Sequence, residues 1–279
     1  MGVNMMRKLS WVFLLLLVFW VSCEDPPKVQ EPPAQLEVVV GSAEEPKKVT
    51  AKKVIWKKDG SRMVLIPAGS FQVGDAMSEP DDWMERSRPV HTVELDGFYM
   101  DVNEVTVEQF KKFVQQSGYS YNSWNDVAKY SPGDNYPMIY VTWNDATAYA
   151  KWAGKRLSTE KEWEWAARGG LKNKEYPWGD DESKARDYAN YKDTGGKDKW
   201  GNCASVGSFK PNGYGLFDMA GNVWEWCQDW SSEDQKYRVL RGGNWINSAY
   251  YLRVSYRNRT TPINRGNNIG FRCVVSGSP

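Results

Sequence analysis

The chain has 279 residues, and its 36 Lys and Arg nearly balance its 35 Asp and Glu. No region is strongly basic, which argues against nucleic acid as the main partner, and the length suits one large domain or two small ones. Aromatic residues make up 14% of the chain, with 15 Trp and 15 Tyr. Most of these serve a core, and the surplus is available for recognition, where rigid rings bind at low entropic cost.

Residues 1–22 read as a secretory signal. Arg7 and Lys8 supply positive charge, and residues 11–21 form an apolar run too short to span a bilayer comfortably. Val21-Ser22-Cys23 then resembles a bacterial lipoprotein signal, with Trp20 standing where such signals usually carry Leu. An ordinary secretory peptide or an uncleaved anchor is the alternative. Lipidation of Cys23 implies a membrane attachment through lipid, an extracytoplasmic domain, and display from the cell envelope, expected at the outer membrane surface. Residues 23–51 are rich in Pro, Glu, Lys and Val, bury little apolar surface, and are predicted to form a flexible tether. From residue 52 to 279 the composition is globular, and a single domain, expected to be monomeric, is the simplest organisation.

Three helices are predicted from their caps. Thr106 with Gln109 forms a capping box, Phe110, Phe113 and Val114 share a face, and Gly118 stops the helix. Thr142 caps a second helix with Ala146, Tyr149, Ala150 and Ala153 inward and Gly154 as terminator. Thr159 and Glu162 form another box ahead of Trp163, Ala166 and Ala167, closed by Gly169-Gly170. Residues 63–66, 92–95 and 238–241 are strand candidates, and 176–221 is turn-rich. The class is α+β with much irregular structure. Beyond Cys23 the chain has Cys203, Cys227 and Cys273, which allow one bridge plus a free thiol but indicate neither a zinc site nor a disulfide framework.

A resemblance emerges from motifs in order along residues 60–275. They include Met63-Val64-Leu65-Ile66-Pro67-Ala68-Gly69-Ser70-Phe71, Gly154-Lys155-Arg156-Leu157-Ser158-Thr159-Glu160, Asn212-Gly213-Tyr214-Gly215-Leu216, Gly221-Asn222-Val223-Trp224-Glu225-Trp226, Arg241-Gly242-Gly243-Asn244-Trp245 and Ile269-Gly270-Phe271-Arg272. Together they resemble the formylglycine-generating-enzyme-like (FGE-sulfatase) domain, a variant of the C-type lectin fold. That family holds oxidases, sulfoxide synthases and non-catalytic binding proteins, so the fold leaves function open. The oxidases use two cysteines after the Gly-Gly motif as soft copper ligands. Those places hold Asn247 and Leu252 here. The sulfoxide synthases need several histidines, and this chain has only His91. No nucleophile–base arrangement or phosphate-cradling loop is present either. Catalysis, and with it a catalytic cofactor, is not expected; an oxygen-dependent oxidase is the alternative.

The segment after Gly243 is rich in Asn, at 244, 247, 258, 264, 267 and 268. It resembles the variable region of diversity-generating retroelement proteins, some of them treponemal lipoproteins, which places a variable region at about 238–275. In such systems template adenines are replaced at random. Ile246, Asn247, Ser248, Tyr250, Tyr251, Tyr256, Thr260, Thr261, Ile263 and Gly266 can each arise from AAC or AAT by changing only adenines. With Trp245 they form the predicted ligand-binding set, and Tyr, Ser, Gly and Asn are a paratope mixture. An Asn-rich loop with core tyrosines is the competing reading. The ligand would be a protein or a glycan. Arg253, Arg257 and Arg259 are expected to be framework, pairing with carboxylates beneath the surface.

Relatives in this family hold two calcium ions. The resemblance assigns one site to Asp218, Gly221, Val223 and Glu225, and the other to Asn190, Tyr191, Asp198 and Trp200, oxygen donors suited to structural Ca²⁺. Turn caps or ion pairs are the other explanation for these carboxylates.

Overall fold

The structure, a computed structural model, describes residues 37–38, 53–75 and 82–277. The signal at 1–22, Cys23 and nearly all of the tether lie outside the described residues. Two tether residues do not: Glu37 and Val38 pair antiparallel with residues 54–55.

Twelve strands are formed among the described residues: β1 (Glu37–Val38), β2 (Lys53–Ile55), β3 (Arg62–Ile66), β4 (Gly69–Val73), β5 (His91–Leu95), β6 (Phe98–Asp101), β7 (Arg156–Leu157), β8 (Trp224–Trp230), β9 (Arg238–Arg241), β10 (Asn258–Thr260), β11 (Ile269–Gly270) and β12 (Cys273–Ser276). A six-stranded sheet runs β1-β2-β3-β6-β12-β7, a four-stranded sheet runs β10-β9-β8-β11, and β4 pairs with β5. Met100 sits opposite both Val64 and Val274, and all three are wholly buried, which fixes the register of the larger sheet. In the smaller sheet β11 runs parallel to β8 with Ile269 opposite Trp224, and β8 is bulged between Trp226 and Trp230.

The helices begin where the capping residues lie. In α1 (Val107–Ser117) and α4 (Glu160–Arg168) both arms of the capping box form, at Thr106–Gln109 and Thr159–Glu162. Gly118 and Gly169 close these helices in the left-handed conformation, at φ 70° and 58°. Between them α2 (Trp124–Tyr130) has no side-chain cap, and α3 (Trp143–Trp152) forms a third box from Thr142 and Asp145. A single turn, α5 (Ala185–Tyr188), is the only α-helix within the turn-rich 176–221 stretch among the described residues.

Phe110 and Tyr149 project from α1 and α3 onto Phe271, and Phe113 packs on both of them, with ring centroids between 5.2 and 6.5 Å apart. Each fully buried ring of this kind stabilises the domain by roughly 1.5–3 kcal/mol over exposure. The core thus lies between the helices and the two sheets. The loop leaving β9 is left on one side of it. Cys203, Cys227 and Cys273 are buried free thiols, so the bridge that the sequence allowed is not formed.

Candidate functional site

The chain leaves β9 through Gly242 and Gly243, at φ 98° and 81°. A Cβ on Gly243 would stand 2.8 Å from the Tyr251 carbonyl oxygen, so this position requires glycine. Asn244 is 1% exposed, and its Oδ1 accepts from the amides of Ile246 (2.7 Å) and Asn247 (3.1 Å), which sets the next turn. A short 3₁₀ turn, Ala249–Leu252, then drops Ala249 and Leu252 among Tyr176, Ala185, Ala189 and Ala220.

Arg241 holds the following stretch from below. It is 1% exposed, and its guanidinium donates to the carbonyls of Val254 (2.7 Å), Ser255 (3.0 Å) and Tyr256 (2.9 Å) and to Glu164 Oε2 (2.6 Å). Arg253 pairs with Glu175 and Arg257 with Glu160, as expected for framework arginines. Arg259 departs from that expectation. It is exposed, lies over the Tyr237 ring at 4.9 Å from its centroid, and sits on the edge strand β10, near enough to Asp234 to help hold that carboxyl below its ordinary range without forming a close ion pair among the described residues.

The far end of the segment is tied by three consecutive carbonyls. Gly266 accepts from Tyr140 N, Asn267 from the Trp245 indole and Asn268 from Trp224 N. Pro262 accepts from Trp143 N, and Asn264 Nδ2 donates to Thr260 Oγ1.

None of the eleven predicted contact residues is buried. Ile246, Ser248, Thr261 and Ile263 are exposed, and Trp245, Asn247, Tyr250, Tyr251, Tyr256, Thr260 and Gly266 are half-buried. Asn244 just before them, and Ala249, Leu252, Val254 and Ser255 between them, turn inward. Tyr250, Tyr251 and Tyr256 pack on one another at 4.9–6.0 Å, and the last two lean on Trp224. Trp245 stacks on Tyr130, which in turn meets Tyr140. The 266–268 backbone joins these two aromatic groups. Tyr130 and Tyr140 thus support the face with only the surplus of aromatics to signal them in the sequence, while Trp224, quoted there as part of a motif, was not assigned this role.

At the two positions where the oxidases carry cysteines, Asn247 is half-buried and Leu252 is fully buried. Burial pushes the Cys203 thiol up to about 12 and those of Cys227 and Cys273 well above the ordinary range. Each disfavours the thiolate that a soft metal needs. His91 is exposed, with Nδ1 3.1 Å from the Pro89 carbonyl.

The residues assigned to calcium form two touching loops. Gly221 packs so closely on Asn190 that a Cβ would lie 2.2 Å from its carbonyl oxygen. Asn190 Oδ1 and Asp218 Oδ1 are buried without a hydrogen-bond partner among the described residues, the kind of oxygen a hard cation satisfies. Burial raises the Asp218 carboxyl to about 6. The adjacent Glu104 is raised well above its ordinary value, by burial first and then by Asp218 and Glu225. The other acids already have partners. Arg272 spans both Glu225 oxygens at 2.7–2.9 Å and the Trp163 indole adds a bond, while Asp198 takes Arg186 at 2.7 Å and the amides of Tyr191 and Trp200. Val223 is buried with its amide on Glu104, the Tyr191 ring lies under Arg186, and Trp200 packs edge-on to Phe209. Among the described residues, no group of three or more His, Cys, Asp or Glu is arranged to hold a metal. Asn190 and Asp218 therefore fit a cation, and Glu225 fits an ion pair better.

Comparison with known proteins accords with this geometry. Residues 50–276 match the sequence model of the sulfatase-modifying factor enzyme 1-like domain (FGE-sulfatase). The formylglycine-generating enzyme of Mus musculus is 34% identical over an alignment spanning 78% of this chain and 76% of that protein. The solved structure of PvdO from Pseudomonas aeruginosa is similar at TM-score 0.66 and 29% identity, over 78% of this chain and 95% of the other. Treponema denticola variable protein 1 is similar at TM-score 0.62 and 24% identity, over 88% of this chain and 99% of the other, which is a likeness of fold. The α+β, C-type-lectin-like architecture read from the sequence is the one these proteins share.

Proposed function

The chain belongs to the sulfatase-modifying factor enzyme 1-like domain family, and within it we propose a non-catalytic ligand-binding lipoprotein whose contact face is formed by residues 245–266. One observation carries this reading. All eleven contact residues face outward at least in part, while the five buried residues just before and between them and the Arg241 clamp hold the backbone. Side chains arranged in this way can be exchanged at little cost to the fold, since substitutions away from buried features usually change stability by about 0.5 kcal/mol or less.

Exchange is also what the adenine-accessible codons and the Tyr, Ser, Asn and Gly composition suit. We therefore read the face as diversified by template copying and directed at a protein or glycan. Calcium, where bound, would occupy two sites, one drawing on the open oxygen of Asp218 and the other on that of Asn190, each with nearby carbonyls, and would stabilise loops without touching the ligand. Anchoring through Cys23 and display at the outer surface of the envelope follow from the signal and tether in the sequence. Among the described residues no helix is long and apolar enough to cross a membrane.

The 34% identity to a formylglycine-generating enzyme favours an oxidase as the second reading. Against it stand Asn247 and Leu252 in place of the oxidase cysteines, and three thiols that are buried elsewhere. The test is the locus. Diversification predicts a near-copy of the codons for the C-terminal segment, differing at adenines and lying near a reverse transcriptase, with variation among isolates concentrated at the ten adenine-accessible positions. A genome with no such copy refutes the diversification, and stoichiometric copper in the purified protein restores the oxidase.

A further inference from the structure

A groove on another part of the surface is lined by α3, β7 and the adjoining ends of β8 and β9. It encloses about 490 Å³, and none of the residues lining it belongs to the 245–266 face. That volume falls within the range of small-molecule sites. Its walls carry Trp143 and Trp230. Between these indoles lies the Arg238 guanidinium, its carbon 3.7 Å from one ring centroid and 3.4 Å from the other. The Trp143 indole N–H is committed to the Cys227 carbonyl at 2.9 Å, which fixes that ring.

The charges around the groove are unevenly compensated. Lys155 is held by Asp59 and Asp101, Arg156 by Glu162, and Asp229 accepts from the Glu160 amide at the start of α4. Lys151 is exposed and has no carboxylate within ion-pair distance among the described residues; Arg238 has none at that distance either, and Asp229 acts on it only from farther off. Arg238 donates one bond, to the Gln228 carbonyl at 2.6 Å, and its Nε is buried with no hydrogen-bond partner. A half-buried guanidinium held between two rings has lost much of its freedom before any ligand arrives. It is therefore primed for bidentate contact with an acidic group.

We propose that this groove is a second binding site, for a small organic acid whose anionic group meets Arg238 and Lys151 and whose apolar body lies against the Trp143 and Leu157 side. The lining favours an organic body, because the half-buried indoles of Trp143 and Trp230 would gain nothing from an inorganic anion.

The probe is 2-naphthalenesulfonate, titrated calorimetrically into the full protein. Saturable one-to-one binding is expected. It should weaken about tenfold or more in Arg238→Gln and severalfold in Lys151→Gln, as loss of a charge-assisted contact implies. The uncharged 2-naphthalenemethanol should bind at least about tenfold more weakly for the same reason. Ile263→Ala, on the other face, should leave affinity unchanged. Lys151 is an exposed helix residue, so its variant separates binding from folding. The proposal is overturned if the sulfonate shows no saturable binding at millimolar concentration, if both groove variants bind it like the parent, if Ile263→Ala abolishes binding, or if inorganic sulfate competes as well as the probe.

Discussion

Replacing Arg241 by Met tests the claim that the contact face rests on a fixed frame. The substitution keeps most of the apolar stem and removes a guanidinium that is 1% exposed. Three backbone carbonyls, of Val254, Ser255 and Tyr256, lose their donor, and Glu164 loses one of two arginine partners. Breaking a buried ion pair typically costs about 3–5 kcal/mol, because the surviving charge is stranded. Here Glu164 keeps Arg168 at 2.6 Å and the Gly74 amide at 2.9 Å, so the cost should fall near the lower end, at about 3 kcal/mol. Urea unfolding measures that loss, and amide hydrogen exchange locates it. Exchange should accelerate across residues 250–260 far more than in α1. Ile263, 75% exposed, is the matched control, and Ile263→Ala should shift stability by no more than about 0.5 kcal/mol. A loss below about 1 kcal/mol in Arg241→Met, with unchanged exchange in 250–260, would refute the reasoning.

Gly243→Ala forces a side chain into a left-handed backbone 2.8 Å from the Tyr251 carbonyl, and should cost about 1–3 kcal/mol in thermal unfolding. Asp218 carries its proton to about 6 in the folded protein because burial disfavours the carboxylate. The folded state therefore binds more protons than the unfolded state between roughly pH 4 and 6, and this group's contribution to stability falls as pH rises through that window. In chelator, Asp218→Asn should gain on the parent across the window, by about 3 kcal/mol in all; a constant difference from pH 4 to 7 contradicts this. Calcium should raise the melting temperature of the parent, and raise it less in Asn190→Ala and in Asp218→Asn, read by calorimetry with and without chelator. Cys203, Cys227 and Cys273 should react with a thiol reagent only at the rate of unfolding, since all three are buried.

What the sequence disclosed was local. Thr106, Thr142 and Thr159 mark helix starts because a cap and its partner lie three residues apart, and Gly118 and Gly169 mark ends because only glycine enters the left-handed region cheaply. The helix α2 escaped notice because Ser123 makes no side-chain cap bond. The strands β6 and β8 escaped because four successive residues of each are buried, which erases the alternation that betrays a half-exposed strand.

At the site the division was similar. The outward residues of the segment were legible from composition and motif position. The clamp was not, since Arg241 reaches partners 13 to 77 residues away and nothing in its neighbourhood announces them. Arg259 read like Arg253 and Arg257, but it lies on the edge strand β10 and rests on the Tyr237 ring in place of a close carboxylate partner. The groove around Arg238 depends on Trp143 and Trp230, which come from separate elements.

The central claim is that the face can change while the frame cannot. A display library carrying every single substitution from 244 to 266, sorted for folded protein, measures this directly. We expect broad tolerance at Ile246, Asn247, Ser248, Tyr250, Tyr251, Tyr256, Thr260, Thr261 and Ile263, and near-intolerance at Asn244, Leu252 and Val254. Equal tolerance in the two groups, or greater tolerance at the buried three, would contradict the account.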